Sequence, residues 1–356
     1  MSRHARLAAV SLCLTLAPTA ARAVPPSGPR ARTIESLSPE QARRLVDETQ
    51  GPNLVLPGLT ALDADTARAL AEYKGNVLLL NGLKRLDAAA AQALGTYEGG
   101  HLYLNGLTAI DADTARALAA APRVLLAVDG LVGLDPHTAR LLAGFKGVRL
   151  TLNGLESLDA DTARALAAYE GEELHLNGLK KLGDDVAEAL AACGCRGITL
   201  GGLATIDELA ADRLAEYRKG WLSLPRVMAA LGRGVPLTPA TARLVCGCAN
   251  GPERAVELGN VVALDAREAV EIAGILATAK GSLSLPQLKK ISPKALTALA
   301  RKENLLIPPI ERLEFIAEPD GSPTEDFVIP EGFESRQKKL EIERDGPRFK
   351  PIPLPR

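Results

Sequence analysis

The sequence predicts an α/β solenoid, and three observations carry that reading. The glycines Gly58, Gly82, Gly106, Gly130, Gly154, Gly178 and Gly202 follow one another at intervals of 24 residues. Each stands in the same setting, best seen in residues 102–119, LYLNGLTAIDADTARALA. Within that setting apolar residues first alternate and then fall three and four apart, the period of a strand followed by that of a helix. A unit of about 20–29 residues with this pattern cannot bury its apolar face alone and does so by stacking on its neighbours.

The strand comes first in each unit. In Leu54-Val-Leu56, Leu78-Leu-Leu80, Leu102-Tyr-Leu104, Leu150-Thr-Leu152 and Leu174-His-Leu176 the two leucines share one face. A turn follows: Asn-Gly at 81–82, 105–106, 153–154 and 177–178, Asp129-Gly130, Pro57-Gly58 and Gly201-Gly202. These residue types accept positive φ or pre-set a tight bend. A further leucine (Leu59, Leu83, Leu107, Leu131, Leu155, Leu179, Leu203) then packs inward.

The helix is marked at its start by a column of capping residues: Ser38, Asp63, Asp87, Asp111, Asp135, Asp159, Gly183, Asp207, Thr238, Asp265 and Ser292. Side-chain oxygens at this position accept the free amide hydrogens of a first turn. Proline follows four of them, at home in the first helical position. Ala67, Leu70 and Ala71 make one apolar helix face, and Arg68 with Asp65 and Glu72 a solvated one. Gly75, Gly99, Gly147 and Gly171 are expected to end helices in the left-handed conformation. Ten residues after its N-cap each unit carries Tyr73, Tyr97, Phe145, Tyr169 or Tyr217, a column expected to form a buried spine. The repeated Asp-x-Asp at 63–65, 111–113 and 159–161 reads as capping and not as a calcium site.

In these units the chain resembles the leucine-rich repeat family, in its bacterial secreted variety. The resemblance covers about 33–310, some eleven units of which the last three are irregular. It implies a leucine-rich-repeat-like horseshoe with parallel strands on the concave side and short helices on the convex side. It also implies a non-catalytic scaffold that recognises protein, with cell-envelope glycan as a second class of ligand. In the family's pattern the asparagine stands three residues past the second leucine, whereas Asn81 and its equivalents follow at once. The family's asparagine ladder therefore does not transfer unchanged.

Residues 1–23 have the features of a secretory signal: basic Arg3, His4 and Arg6, an apolar stretch from Leu7 to Ala17, and Ala21-Arg-Ala23 as a cleavage site. The mature chain is expected to be secreted, periplasmic or held in the cell envelope, with no membrane insertion after cleavage. Residues 24–32 read as a linker and 311–356, rich in proline and charge, as a tail without fixed structure beyond a short capping strand at 313–316. A net charge of −1 argues against a nucleic-acid partner.

The residues between the strand leucines face the concave side. There the binding candidates are Leu79, His101, Tyr103, Arg149, Glu173, His175 and Trp221, since Trp, Tyr and Arg dominate binding hot spots. The competing readings are an inert face and a stiff envelope spacer. Cys193-Gly-Cys195 and Cys246-Gly-Cys248 form two matching pairs. They are candidates for disulfides, local or crossed. A four-thiolate zinc site and free or redox-active thiols, the last making the chain a thiol-disulfide enzyme, are the other readings. The remaining residues suggest no metal and no cofactor: His101 and His175 lie three units apart, and no nucleophile elbow, phosphate loop or HExxH motif is present.

Overall fold

The computed structural model describes residues 34–121, 124–249 and 255–319, with positions 321, 333, 336 and 337 beyond them. The signal and linker expected at 1–32, and most of the tail, lie outside the described residues. Helix and strand alternate from the start: α1 (Pro39–Glu48), β1 (Asn53–Val55), α2 (Ala64–Ala71), β2 (Val77–Leu79), α3 (Ala88–Leu94), β3 (His101–Tyr103) and α4 (Ala112–Ala119). The middle units add β4 (Leu125–Ala127), α5 (Pro136–Leu142), β5 (Arg149–Thr151), α6 (Ala160–Leu166), β6 (Glu173–His175) and α7 (Asp184–Ala191). Then come β7 (Gly197–Thr199), α8 (Glu208–Leu214), β8 (Trp221–Ser223), α9 (Pro225–Ala230) and α10 (Pro239–Cys248). The irregular end holds β9 (Ala255–Glu257), β10 (Ala263–Leu264), α11 (Ala269–Ala277), β11 (Ser282–Ser284), β12 (Lys290–Ile291), α12 (Pro293–Leu299), β13 (Leu305–Leu306) and β14 (Glu314–Phe315).

Strands β1 to β8 form one parallel sheet in chain order, and every pairing is offset by one repeat, Leu54 beside Leu78 and Leu78 beside Leu102. The helices of successive units pack against one another on the other side. Packed helices sit about 8–10 Å apart, whereas paired strands sit about 4.8 Å apart. The stack therefore curves with the sheet on its inside, and the α/β solenoid horseshoe read from the repeat is the fold observed. In the last units the strands split into two small parallel sheets, β9–β11–β13 and β10–β12–β14. Beyond them Phe333 is buried, and the Gln337 side chain bonds both Leu305 O and Ile307 N at the outer edge of β13.

Three cross-unit columns hold the array. The aromatic column is a buried spine: Tyr97, Phe145 and Tyr169 are fully enclosed, and the Tyr73–Tyr97 and Phe145–Tyr169 rings stack at 6.4 Å. Each tyrosine hydroxyl donates to a carbonyl of the unit before, Tyr73 to Gly51 (2.6 Å), Tyr97 to Gly75 (2.9 Å) and Tyr169 to Gly147 (2.9 Å). The second column is the asparagine turn. Asn81 Oδ1 accepts from Asn105 N, Asn105 from Asp129 N, Asp129 from Asn153 N, Asn153 from Asn177 N and Asn177 from Gly201 N, at 2.6–3.0 Å. A polar ladder thus exists, displaced to the residue directly after the strand leucine. The third column appears in alternate units, where buried Thr66, Thr114 and Thr162 donate to Leu37 O, Leu86 O and Leu134 O. It is the structural counterpart of the 48-residue duplication visible in the repeated DADTARALA.

The glycines serve a different purpose from the one their positions suggest. Among the described residues only Gly232 and Gly321 have positive φ, so Gly75, Gly99, Gly147 and Gly171 are not left-handed caps. Helix α2 instead ends at Glu72 and α3 at Gly95, both in right-handed helical geometry. A Cβ at Gly75, Gly99 or Gly171 would collide with the hydroxyl of Tyr73, Tyr97 or Tyr169, two residues earlier. The turn glycine Gly82 is required by close approach, because a Cβ there would lie 2.5 Å from the carbonyls of Pro57 and Leu59. The N-cap column holds with one exception. Asp265 does not cap α11, which begins at Ala269 with Glu268 at the cap and no side-chain bond. The extra residues of that unit displace the helix start by three positions.

The spine makes separable contributions. Tyr97→Phe, which loses only the bond to Gly75 O, is expected to cost about 1 kcal/mol, and Tyr97→Ala about 3–5 kcal/mol. Urea melts followed by circular dichroism measure both. Equal losses in the two variants would mean that the hydroxyl bond, and not ring packing, carries the column.

Candidate binding face

Because every strand pairs at the same offset, the outward residues form two straight rows. One runs Asn53, Val77, His101, Leu125, Arg149, Glu173, Gly197, Trp221, and the other Val55, Leu79, Tyr103, Ala127, Thr151, His175, Thr199, Ser223. Strand geometry does this without help from the side chains, since alternate residues leave the same face. All seven sequence-predicted residues lie in these rows. Leu79 neighbours Tyr103 in register, and with Val55 and Val77 it forms the apolar end of the face.

The centre is a connected group. Glu173 Oε2 accepts from Arg149 Nε at 2.6 Å and lies 3.0 Å from His175 Nε2. Burial alone would raise the Glu173 carboxyl, but the hydrogen bonds and charges of His175 and Arg149 outweigh it and hold it at about 2. Arg149 and Glu173 are therefore a formed ion pair at neutral pH. His101 meets Tyr103 edge-on, with ring centroids 6.4 Å apart. Burial, with the nearby Arg149 charge, pushes the His101 imidazole below its ordinary value, so it is neutral at pH 7. Beneath this layer Leu125, Ala127 and Thr151 are themselves buried. At the other end the Trp221 indole occupies the space a side chain at Gly197 would fill. Sequence reasoning could have found that pairing, since Gly197 is the one glycine in either outward row of β1–β8.

Two residues escaped the sequence reading. Thr151 and Thr199 flank His175 in the second row, and each has its Oγ1 buried with no protein partner among the described residues. Their only sequence signal is the change along that row from Val55, Leu79, Tyr103 and Ala127 to the polar Thr151, His175, Thr199 and Ser223.

The two Cys-Gly-Cys pairs are not equivalent. Cys193 and Cys195 lie at the turn after α7, both fully buried, with their sulfurs 2.7 Å apart. Cys193 replaces a tyrosine in the spine and donates to Tyr169 O, and Tyr217 donates to Cys195 O. The hydrogen bond to Cys195, together with burial, pushes the Cys193 thiol well above its ordinary value. Cys246 and Cys248 instead fall inside α10, where residues two apart do not face each other. The Cys246 sulfur turns to Ile275 O and Thr278 Oγ1. No group of three or more candidate metal ligands occurs among the described residues. No helix among them is long and apolar enough to cross a membrane.

No family model matches this chain. No curated protein matches it either. Among solved structures it is similar to an internalin (InlF) from Listeria monocytogenes at 13% identity and a TM-score of 0.38, covering 82% of this chain and 94% of the internalin. It is similar to a chain of the Toll–Spatzle complex of Drosophila at 12% identity and a TM-score of 0.40, covering 72% of this chain and 42% of the other. It is also similar to the TLR13–ssRNA13 complex at 17% identity and a TM-score of 0.33, covering 71% and 39%. The chain thus spans about two fifths of the length of the latter two proteins.

The buried hydroxyls give a stability test. Thr151→Val keeps the shape and removes an unpartnered polar atom, so it is expected to stabilise the chain by about 1–3 kcal/mol. A thermal melt that shows instead a loss of that size would mean that Thr151 has a partner in solution.

Proposed function

We propose that the chain is an exported, non-catalytic binding scaffold that recognises another macromolecule through its concave sheet. One observation supports this most: His101, Tyr103, Arg149, Glu173, His175 and Trp221 stand on β3 to β8 of one sheet face, where His101 meets Tyr103, Glu173 bonds Arg149 and His175, and Trp221 packs over Gly197. Trp, Tyr and Arg side chains held in place by their neighbours lose little freedom on binding, the property of hot-spot residues. The basic and apolar pattern of residues 1–23 supports export.

The experiment is a pull-down from an envelope fraction of the source organism with the chain and its Tyr103→Ala/Trp221→Ala double variant. We expect a partner retained by the first and lost by the second, at equal thermal stability. Retention of the same set by both, or of nothing by either, would favour a spacer.

We also propose that Cys193 and Cys195 close a local disulfide in the oxidising compartment, locking the spine where a tyrosine is missing. Cys246 and Cys248 stay reduced, because α10 holds their side chains apart. Alkylation of the exported chain under denaturing, non-reducing conditions should label 246 and 248 and leave 193 and 195 unlabelled. Labelling of all four would refute the bridge.

A further inference from the structure

The centre of the sheet face has a chemistry that narrows its ligand. Arg149 and Glu173 are the only formally charged residues in the two outward rows of β1–β8, and they neutralise each other. A nucleic acid needs a row of uncompensated cations, and a charged peptide segment needs an excess of the opposite sign. Neither is present. An apolar helix would need a continuous apolar groove, but the apolar residues of the face end at Leu79, and the aliphatic residues beyond it are buried.

What the centre does offer is hydrogen-bonding capacity of both signs. Arg149 spends Nε on Glu173 and makes no hydrogen bond through its two Nη groups to the described residues; Glu173 leaves Oε1 unused. The Tyr103 hydroxyl has no hydrogen-bond partner among the described residues, and the Thr151 and Thr199 hydroxyls are buried without one. The donors and acceptors left for a ligand therefore stand on β3, β5 and β6, at Tyr103, Arg149 and Glu173, in line with the Trp221 indole that covers Gly197 on β8. Hydroxyl groups, which donate and accept at once, are the complement of such a surface. The apolar face of a sugar ring is the complement of an exposed aromatic plane.

Resting on the concave-face reading above, we propose that the strip from Tyr103 to Trp221 binds a neutral glycan chain running across the strands. Trp221 stacks on one sugar ring, and Arg149, Glu173 and Tyr103 bond the hydroxyls of the sugars that follow. The strip spans five strand steps, about 24 Å at the usual strand spacing. A sugar unit in an extended glycan is of similar length to one step, so about five sugars are read. An oligosaccharide is expected to bind and a disaccharide to bind far more weakly.

The test is isothermal titration of the full chain with neutral hexasaccharides: cellohexaose, chitohexaose, maltohexaose and mannohexaose. We expect at least one to bind, at least tenfold more tightly than its disaccharide and with little dependence on salt. Trp221→Ala and Glu173→Gln should each weaken it at least tenfold, and Trp221→Phe should recover part of the loss. Circular dichroism and the melting temperature show that the variants fold. The pull-down is run in parallel with the envelope fraction before and after periodate oxidation, which destroys vicinal diols. A retained partner that periodate abolishes supports the proposal even if none of the four hexasaccharides is the right sugar. A partner that survives periodate supports the proposal if it also survives proteinase K, since 1,3-linked and 2-acetamido sugars lack vicinal diols; one that proteinase K abolishes, with no hexasaccharide binding, overturns the glycan and leaves the recognition face standing. No ligand in either assay overturns both.

Discussion

One hydrogen bond, from the backbone amide of a turn to the side-chain oxygen of the turn before, fixes the spacing on which the other contacts depend. It recurs from Asn81 to Gly201 without a gap. The same close approach of carbonyls is seen at Gly106, Gly130, Gly154 and Gly178, inside the ladder, and at Gly82, whose preceding turn, Pro57-Gly58, offers no side-chain oxygen. With the turns stacked this tightly, strands must pair at an offset of one unit. A tyrosine hydroxyl then finds a carbonyl at the right height in the unit before. Between β1 and β8 the repeat holds, since a residue added or lost there would shift every later outward side chain off its row; the one-residue lengthening from Ser38 to Asp63 lies before β1, and the larger insertions follow Trp221.

The sheet face inherits its order from that spacing. Its side chains need no individual placement, because the backbone puts each one a strand step from its neighbour. Glu173 bonds Arg149 on the adjacent strand and His175 two residues on in its own, and the Trp221 indole fits against Gly197 because no side chain stands there. Rigidity comes from the leucine and alanine interior behind the sheet, which lets the face carry groups that cost stability, such as the buried hydroxyls of Thr151 and Thr199.

Much of the architecture was legible in the sequence because it is periodic, and a period reports stacking directly. The helix caps, the buried aromatics and the two outward rows all followed from it. What was not legible depends on contacts between units, which spacing alone does not reveal. Gly75 looks like a helix terminator until the Tyr73 hydroxyl is seen passing over it. The asparagines look misplaced until each is seen to bond the next turn. The two Cys-Gly-Cys pairs look alike, yet the first begins ten residues after its helix cap, Gly183, and falls in a turn, while the second begins eight after Thr238 and stays in the helix. The connected centre of the binding face was only partly visible, since Thr151 and Thr199 carry no motif.

The asparagine, threonine and tyrosine columns share a direction. In each, the donor belongs to the later unit and the acceptor to the earlier one: Asn105 N to Asn81, Thr114 to Leu86 O, Tyr97 to Gly75 O. A buried donor left without a partner is rarer and worse tolerated than an idle carbonyl. The stack is therefore polar in the sense that a growing end is. In these side-chain columns a later unit meets acceptors already in place, while the strand ladder also runs the other way, Leu56 N donating to Leu79 O and Leu80 N to Tyr103 O. Such a chain can be assembled from its N-terminus one layer at a time, each layer closed by the next without undoing the last.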